Sequence, residues 1–368
     1  MGFGLALVLI ASAAGAASAA TPAASPSPTP TPSPAPSPVP TPAPSPVPNA
    51  IRSDLSSGQS VLDLGSNFLE RLGNQATHGA NRMLRTNPDG GGASEAAEPP
   101  RFRTWGETYG MTARASAQRD FVGDTRTVWG GVAGLGMRLG TSVNVGLSVD
   151  QSRTRVDVPL ALQSATLDLT QLGFNASVDH GPWTWAVAIV HGFGGVKARR
   201  DTSLGAANSA YGAHIIGVLS ELDYYWSSGE SRLVPKLAFE YARATTAAFQ
   251  EAGGLDPLSV GGTSLERARV LIGAEIGHYT IVDGRILDLS AYGKFVDNFA
   301  QNLGSVMVSL GTQSITLQGL GEGRYGADAG AAVSLSLTST ARLYLNYDAK
   351  FRSALQSHQG TVGVEFKW

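Results

Sequence analysis

The chain of 368 residues contains no cysteine, and only 15% of its residues are charged, with a net charge of −2. The absence of cysteine excludes disulfide bonds and thiolate ligands for a metal. Soluble proteins usually carry about 25% charged residues, so this chain is poor in charge. Its nearly neutral balance gives no electrostatic reason to expect a nucleic-acid partner.

Long hydrophobic runs are also scarce. A membrane-spanning helix needs about 20 consecutive apolar residues, and the single candidate run lies at the N-terminus. The mean hydropathy of −0.01 excludes a helical membrane protein. A membrane β-barrel stays compatible with this value, because only every second residue of its strands meets lipid.

The first 50 residues carry two recognisable segments. Residues 1–20 are predicted to be a secretory signal peptide with the small-residue cleavage site Ala17-Ser18-Ala19, and an uncleaved anchor helix is the alternative. Residues 21–50 have proline at almost every second position. Because proline removes a backbone donor and fixes φ, we predict an extended spacer rich in Pro, Ser and Thr.

Residues 51–103 are predicted to form a helix followed by a flexible connector. The helical stretch covers 51–86, and its part from 61 to 80 would form a helix about 30 Å long, which matches a bilayer core. The apolar face carries Leu62, Phe68, Leu69 and Leu72. The remaining helix surface is too polar to face lipid, so we expect the helix to stand inside a polar pore. A short periplasmic helix without pore contact is the alternative.

From Thr104 onward the apolar residues recur with a period of two, which is typical of strands that are apolar on one face. The pattern predicts twelve strands, at 104–118, 126–140, 142–157, 165–180, 183–198, 211–227, 231–246, 265–280, 285–298, 324–338, 341–352 and 360–368. Within the fourth strand the apolar phase slips between Leu169 and Leu172. This slip predicts a β-bulge.

The connections between these strands alternate in length. Tight turns are predicted at 140–141, 180–182, 228–230, 282–284 and 339–340, and longer loops at 119–125, 158–164, 199–210, 247–264, 299–323 and 353–359. Short periplasmic turns alternating with long outer loops are the plan of outer-membrane barrels, whereas a soluble β-sandwich has no reason to alternate. We therefore predict an all-β membrane protein, a twelve-stranded antiparallel outer-membrane β-barrel with an N-terminal α-helix in its pore.

Two sets of side chains follow from this fold. Aromatic residues near the tight turns are expected to form a girdle at the membrane boundary: Trp183, Trp185, Tyr224, Trp226 and Trp368. Charged residues on the polar strand faces are expected to line the lumen: Glu221, Asp223, Glu240, Arg269, Glu275, Lys294, Arg342, Asp348 and Lys350. Their mixed signs favour pairing with one another and with the helix over selective ion transport.

The last residues form an amphipathic strand that ends on an aromatic residue. Val362, Val364, Phe366 and Trp368 share its apolar face, because successive side chains of a strand point to opposite sides. A final strand of this kind is typical of outer-membrane barrels.

Motifs for chemistry are missing from the sequence. It contains no G-x-S-x-G and no H-x-x-x-H motif, and its six histidines are scattered, so we predict no enzyme, metal or cofactor and discount a barrel hydrolase. The glycine-rich segment 319–323 does not lie between a strand and a helix, so it is read as a loop rather than a phosphate-binding loop.

Residues 104–368 resemble the autotransporter translocator domain of type V secretion, with the helix of 51–86 in the place where that family threads its pore. The resemblance is carried by Glu221-Leu222-Asp223-Tyr224-Tyr225, Leu237-Ala238-Phe239-Glu240-Tyr241, the segment 319–332 and the terminal strand. No large passenger domain precedes the helix here, and Asn81 stands without the paired asparagine that some members use for self-cleavage.

The resemblance implies a monomeric barrel in the outer-membrane lipid of a Gram-negative bacterium, reached after Sec-type export with the help of periplasmic chaperones. It implies insertion by the barrel-assembly machinery, which would read Val362, Val364, Phe366 and Trp368 as its signal. It also implies export or display of the N-terminal segment at the cell surface. The alternative is a stand-alone channel or structural barrel whose spacer reaches into the periplasm.

Overall fold

The computed structural model describes residues 51–86, 100–117 and 121–368, with side chains for 51–77 in the first segment. The predicted signal peptide (1–20), the predicted spacer (21–50) and residues 87–99 of the predicted connector lie outside the described residues. Within the described segments, no helix is both long enough and apolar enough to cross a membrane.

The described chain forms a long helix followed by strands. In order these are α1 (Arg52–Thr86), β1 (Phe102–Ala115), β2 (Asp124–Leu139), β3 (Val143–Val158), a 3₁₀ turn (Pro159–Ala161), β4 (Gln163–His180), β5 (Trp183–Thr202), β6 (Gly205–Tyr224), β7 (Trp226–Ser228), β8 (Ser231–Thr246), β9 (Phe249–Gln250), β10 (Ser259–Val260), β11 (Thr263–Val282), β12 (Arg285–Asn302), β13 (Ser305–Leu310), β14 (Gln313–Gln318), β15 (Tyr325–Ser336), β16 (Ala341–Arg352) and β17 (Leu355–Lys367).

The helix covers Arg52–Thr86, which is nearly the whole helical stretch predicted at 51–86, and it extends beyond the part at 61–80 that matches a bilayer core. Serine and glycine lower the helix propensity of its first turns. Two serine hydroxyls in these turns are nevertheless bonded within the helix, because Ser57 Oγ donates to the carbonyl of Ser53 and Ser60 Oγ to that of Ser56, both at 2.7 Å. Tertiary burial therefore extends the helix beyond its intrinsic preference.

The fold class predicted from the sequence is confirmed. Within the described residues twelve antiparallel strands close into a barrel, in which β7 continues β6 after a break at Tyr225. Barrel strands that follow one another along the chain pair with each other. The ring is completed where β17 pairs with β1 and β8 pairs with β11.

The two ends of the barrel differ. The first, called the turn end, carries the connections after β2, β4, β7, β11 and β15, which are the five predicted tight turns. It also holds both termini of the barrel, where the N–H of Phe102 donates to the carbonyl of Trp368 at 2.9 Å. The opposite end, called the loop end, carries the remaining connections. In outer-membrane barrels the end that carries the short turns faces the periplasm.

The outer surface of the barrel is apolar. Large side chains such as Leu147, Ile216 and Val362 are 64%, 51% and 48% exposed and belong to a continuous belt around the barrel. An apolar belt of this extent needs lipid around it. At the turn end Trp183 and Tyr224 meet edge to face with ring centroids 4.8 Å apart, as expected for an aromatic girdle.

Two predicted loops are mostly strand. β5 continues to Thr202 and β6 begins at Gly205, so little of the predicted loop 199–210 remains, and β17 already begins at Leu355 within the predicted loop 353–359. Beyond the lipid belt the outward residues need not be apolar, so the alternation that marks a strand is lost. The backbone ladder continues nevertheless, and these hairpins project past the membrane.

The predicted β-bulge in the fourth strand is wrong. β4 keeps its register with both β3 and β5 along its whole length. The apolar phase changes because Leu167 and Leu169 point into the lumen, where they pack against α1. A register shift is found instead between Ala268 and Val270, where β11 pairs with β12.

A second sheet, the cap sheet, is built from the two longest loops at the loop end. Its strands follow the order β14-β13-β10-β9, and the sequence predicted them as loop because each is short. Val260, Val306 and Val308 of this sheet pack with Ile51 and Leu55 at the start of α1. The cap sheet therefore covers the first turn of the helix.

Glycines on the lumen face make room for aromatic rings of the neighbouring strand. A Cβ at Gly363 would lie 2.3 Å from Cζ of Tyr344, whose hydroxyl donates to Glu107 at 2.8 Å and so holds the ring in place. The same relation holds for the pairs Gly130–Tyr109, Gly134–Trp105 and Gly330–Tyr292.

This packing predicts different effects for two glycines of β17. We expect Gly363→Ala to lower the free energy of unfolding by about 1–3 kcal/mol, because the ring and strand must move apart. Gly360→Ala is the control, since no atom lies within 4 Å of its Cβ position and the stability should stay unchanged. Urea unfolding of the barrel in detergent micelles measures both; equal losses would contradict the packing argument.

Candidate functional site

The helix α1 passes through the lumen from the loop end to the turn end. At the loop end the N–H of Ser53 donates to Oε1 of Gln163 at the start of β4, at 2.9 Å. Toward the turn end Oγ of Ser177, on the same strand, donates to the carbonyl of Ala76 at 3.0 Å. Other side chains of α1 contact β1, β2, β11 and β16. Contacts on all these strands are possible only from inside the barrel.

One face of α1 packs on an apolar sector of the lumen wall. The predicted apolar face, Leu62, Phe68, Leu69 and Leu72, belongs to this cluster, and none of the four is more than 3% exposed. The wall contributes inward residues of β4, β5, β6 and β8: Leu167, Leu169, Ala188, Val190, Ile215, Leu219, Ala242 and Ala244. The lumen is therefore only partly polar, in contrast to the uniformly polar lining expected from the sequence.

Glycines bring the helix close to this wall. A Cβ at Gly65 would lie 2.5 Å from Cγ1 of Ile215, and a Cβ at Gly173 would lie 2.5 Å from Cδ1 of Leu72. Neither position has space for a methyl group. The glycines that weaken the isolated helix thus serve its docking against the barrel.

The opposite face of α1 is polar. Asp63 on this face forms ion pairs with the lumen wall. Its two carboxylate oxygens bind Arg267 of β11 at 3.0 Å and Arg126 of β2 at 3.1 Å. Arg126 also binds Asp124 on its own strand at 2.8 Å. Asp63 therefore ties together two strands from different parts of the wall.

Two turns further along the helix, Glu70 also forms ion pairs with the lumen wall. Its Oε1 lies 2.6 Å from Nη2 of Arg269 and 2.6 Å from Nζ of Lys350. Arg269 is 1% exposed and also binds Glu240 at 2.8 Å. Buried charges of this kind are tolerated only when each has a partner of opposite sign.

Near the turn end the helix presents Arg71 and Gln75. Nε of Arg71 lies 3.0 Å from Glu107, and its guanidinium stands 4.2 Å from the ring centroid of Tyr109. The amide of Gln75 donates to Glu107 and accepts from Arg103, both at 3.0 Å. All three wall residues belong to β1, so this strand contacts the polar face of the helix near the turn end.

The nine charged residues predicted to line the lumen all lie on inward-facing positions: Glu221, Asp223, Glu240, Arg269, Glu275, Lys294, Arg342, Asp348 and Lys350. Arg269 and Lys350 contact the helix through Glu70, and Glu240 does so by accepting from Ser66 Oγ at 2.6 Å. The other six have partners within the wall.

The sequence did not predict four wall residues that bind the helix. They are Arg103, Glu107, Arg126 and Arg267. In β1 and β2, glycine and other small residues weaken the alternation, so the inward phase is hard to assign there. Arg267 could have been found, because it stands two positions before Arg269 and therefore shares its face.

The loop between β14 and β15 places another carboxylate among these charges. Glu322 contacts Arg267 and also lies 3.4 Å from Nε of Arg352. Burial alone would raise the pKa of this carboxyl, but Arg267 and Arg352 outweigh burial and hold the pKa below its usual range. The glycine-rich segment 319–323 thus reaches into the lumen from the loop end.

Space remains on the polar side of the helix. A cavity of ≈130 Å³ lies between α1 and the wall, with Arg71, Gln75, Glu107, Tyr292 and Tyr344 among the residues that line it. The described residues contain no group of three or more His, Cys, Asp or Glu side chains placed to hold a metal ion. Among the described residues, α1 is the element that fills most of the lumen.

The four residues predicted as the assembly signal lie on the outer surface of the last strand. Val362, Val364, Phe366 and Trp368 are 40–60% exposed there. Trp368 stacks on Phe102 across the junction of first and last strands, with ring centroids 6.4 Å apart. Their recognition by an assembly machinery stays a prediction.

A closed barrel with a lipid-facing exterior and a helix through its lumen defines an outer-membrane barrel of the translocator class. The family model described as the autotransporter beta-domain matches residues 104–348 of the sequence. The chain therefore belongs to this family. It is accordingly an outer-membrane barrel of type V secretion in Gram-negative bacteria.

Solved structures agree in fold. The chain is similar to the translocator domain of autotransporter NalP from Neisseria meningitidis, with 13% identity and a TM-score of 0.64, over 86% of this chain and 99% of that one. It is similar to the beta domain of the Bordetella autotransporter BrkA, with 13% identity and a TM-score of 0.52, over 73% and 100%. A search of curated proteins gave no match.

Proposed function

We propose that this barrel exports its own N-terminal segment and displays it at the cell surface. The observation that supports this proposal is the direction of α1. The helix begins at the loop end, where Ser53 contacts Gln163, while β1 begins at the turn end at Phe102. The residues that precede α1 are therefore joined to the barrel at its loop end, which faces outward in outer-membrane barrels.

The contacts within the lumen support a helix that stays after export. Its apolar face is buried on the wall and its charged face is paired on β1, β2, β11 and β16. Burying a leucine or phenylalanine side chain contributes roughly 1.5–3 kcal/mol, so Leu62, Phe68, Leu69 and Leu72 resist withdrawal of the helix. The segment before α1 would then remain anchored to the surface.

The route to the membrane belongs to the same proposal. Residues 1–20 direct Sec-type export, periplasmic chaperones keep the chain soluble, and the barrel-assembly machinery inserts it by reading Val362, Val364, Phe366 and Trp368. The exposure of these four side chains on the outer surface of the final strand is compatible with recognition during insertion. The barrel then works as a monomer in outer-membrane lipid, without enzymatic chemistry.

The second candidate is a stand-alone channel or structural barrel whose spacer lies in the periplasm. It requires the residues before α1 to leave at the turn end. The contact of Ser53 with Gln163 at the loop end disfavours it.

Protease treatment of intact cells separates the two functions. An epitope tag placed after residue 20 should be lost when protease is added, because the tagged segment is outside the cell. A matched tag in the tight turn at 181–182 should survive until the outer membrane is permeabilised. Full protection of the first tag in intact cells would overturn the display function.

A further inference from the structure

The outer surface of β3, β4 and β5 changes from apolar to basic at a defined height. Outward residues of β5 are mostly large and apolar from Trp183 to Phe193. At about 3.3 Å per residue and a strand tilt of roughly 40°, these ten steps rise about 25 Å, the height of the lipid belt. The next outward side chains, Lys197 and Arg199, therefore stand at the headgroup level of the outer leaflet.

Four cations meet at this height on adjacent strands. Arg155, Thr166 and Lys197 lie side by side in one row of the sheet, flanked by rows that contain Arg153 and Arg199. We call Arg153, Arg155, Lys197 and Arg199 the basic patch. Neighbouring strands are about 4.8 Å apart, so the cations of β3 and β5 face each other across about 10 Å.

The floor between the two basic walls is small and polar. Thr166 and Ser164 of β4 offer hydroxyl groups, and Gly195 of β5 has no atom within 4 Å of its Cβ position. Beside Gly195 on β4 stands Asp168, whose carboxylate is bound to Arg153. In the row below, Phe193 of β5 belongs to the apolar belt, whereas its neighbours Thr170 and Gln151 are polar and bond to each other. On β3 and β4 the apolar belt begins one row further down, at Val149 and Leu172. The surface is thus a shallow cleft with cationic sides and a hydroxyl floor, bounded below by the paired Asp168 and by Phe193, where the apolar belt of β5 begins.

The basic patch keeps donors available although its arginines have acidic neighbours. Arg153 binds Asp168 at 2.6 Å, Arg155 binds Asp157 at 3.5 Å and Arg199 binds Asp201 at 2.8 Å, and all three arginines are more than half exposed. Among the described residues Lys197 has no acidic partner. Four cations against three carboxylates leave one surplus positive charge, whereas the exposed pair Arg243–Glu266 elsewhere on the surface is balanced.

We propose that the basic patch binds the phosphorylated headgroup of an outer-leaflet glycolipid, lipopolysaccharide. Phosphate oxygens would accept from Arg155, Lys197 and Arg199, the sugar hydroxyls would bond to Ser164 and Thr166, and the acyl chains would lie along the apolar belt. Arginine and lysine are the usual partners of phosphate, and their charge-assisted hydrogen bonds are strong. The inference requires the loop end to face outward, which the surface-tag experiment tests separately.

Native mass spectrometry of the full-length folded protein in detergent tests this site. The probes are a lipopolysaccharide with intact phosphates, the same lipid after dephosphorylation, and phosphatidylglycerol. The variants are the double change Arg155→Gln with Lys197→Gln, and the matched control Arg243→Gln. Heat-modifiable migration on gels confirms that each variant is a closed barrel before binding is measured.

We expect the double variant to bind the phosphorylated lipid at least about tenfold more weakly, since each lost charge-assisted hydrogen bond is worth on the order of a factor of ten. Arg243→Gln should bind like the parent protein, and dephosphorylated lipid and phosphatidylglycerol should bind the parent weakly. Equal binding by the double variant, or equal binding of phosphatidylglycerol, would overturn the site. Inorganic phosphate that competes as well as the lipid would show a plain anion site and also overturn the proposal.

Discussion

Deletion of residues 51–86 should convert the barrel into an open pore. An α-helix with its side chains is about 10 Å across, and α1 contacts the lumen wall on opposite sides, on β4, β5, β6 and β8 through its apolar face and on β1, β2, β11 and β16 through its polar face. Removing the helix therefore frees the lumen for water, with the cap sheet and the segment 319–323 left as the narrowest part at the loop end. We expect single-channel conductance in planar bilayers to rise several-fold, and the intact protein to show small currents only.

The barrel itself should survive this deletion, because wall arginines that bind the helix also have acidic partners off the helix. Arg126 keeps Asp124, and Arg269 keeps Glu240. The apolar wall sector around Ile215 becomes exposed to water, which weakens but does not open the strand ladder. Deletion of the spacer, residues 21–50, is the control and should leave conductance unchanged. An equally small conductance after removal of 51–86 would rule out a helix in the lumen.

Arg269→Met should cause the largest loss of stability among single substitutions in the lumen. The guanidinium is 1% exposed and lies between Glu240 and Glu70. Its removal leaves Glu240 as a buried carboxylate that loses its ion pair and keeps the hydrogen bond from the hydroxyl of Ser66. Breaking a buried pair from one side typically costs about 3–5 kcal/mol. Urea unfolding in detergent micelles, followed by tryptophan fluorescence, measures this loss.

Arg243→Met is the matched control on the neighbouring strand. Arg243 also forms an ion pair, with Glu266 at 3.3 Å, but both side chains lie on the outer surface and are partly exposed. Exposed pairs contribute about 0–1 kcal/mol, so this change should be nearly neutral. If both methionine variants unfolded at the same urea concentration, burial of the Arg269 network would not be the source of its stability.

The barrel could be predicted in detail because its signals are local. Lipid on one side and the lumen on the other impose a period of two on each strand separately. The tight turns carry residues that tolerate positive φ, such as Gly140, Gly181 and Gly229 with φ of 64°, 56° and 57°. Strand number, turn positions and the outward aromatic residues follow from such short stretches.

The interior was harder to predict, because one part of the lumen wall is apolar and the other part is charged. Leu167 and Leu169 point inward only because the apolar face of α1 lies opposite them. From β4 alone, their inward position is indistinguishable from a slip in strand register. The same dependence on distant partners hid the cap sheet, whose strands β9 and β10 have two residues each and are held by contacts with the helix start.

The sequence by itself determined that this chain is a twelve-stranded membrane barrel preceded by an amphipathic helix, because alternation and turn chemistry act between neighbouring residues. Only the tertiary structure decided the direction of that helix and the partners of its charges. Asp63 meets Arg267 across 204 positions of sequence, and such a pairing exists only once the barrel has closed around the helix.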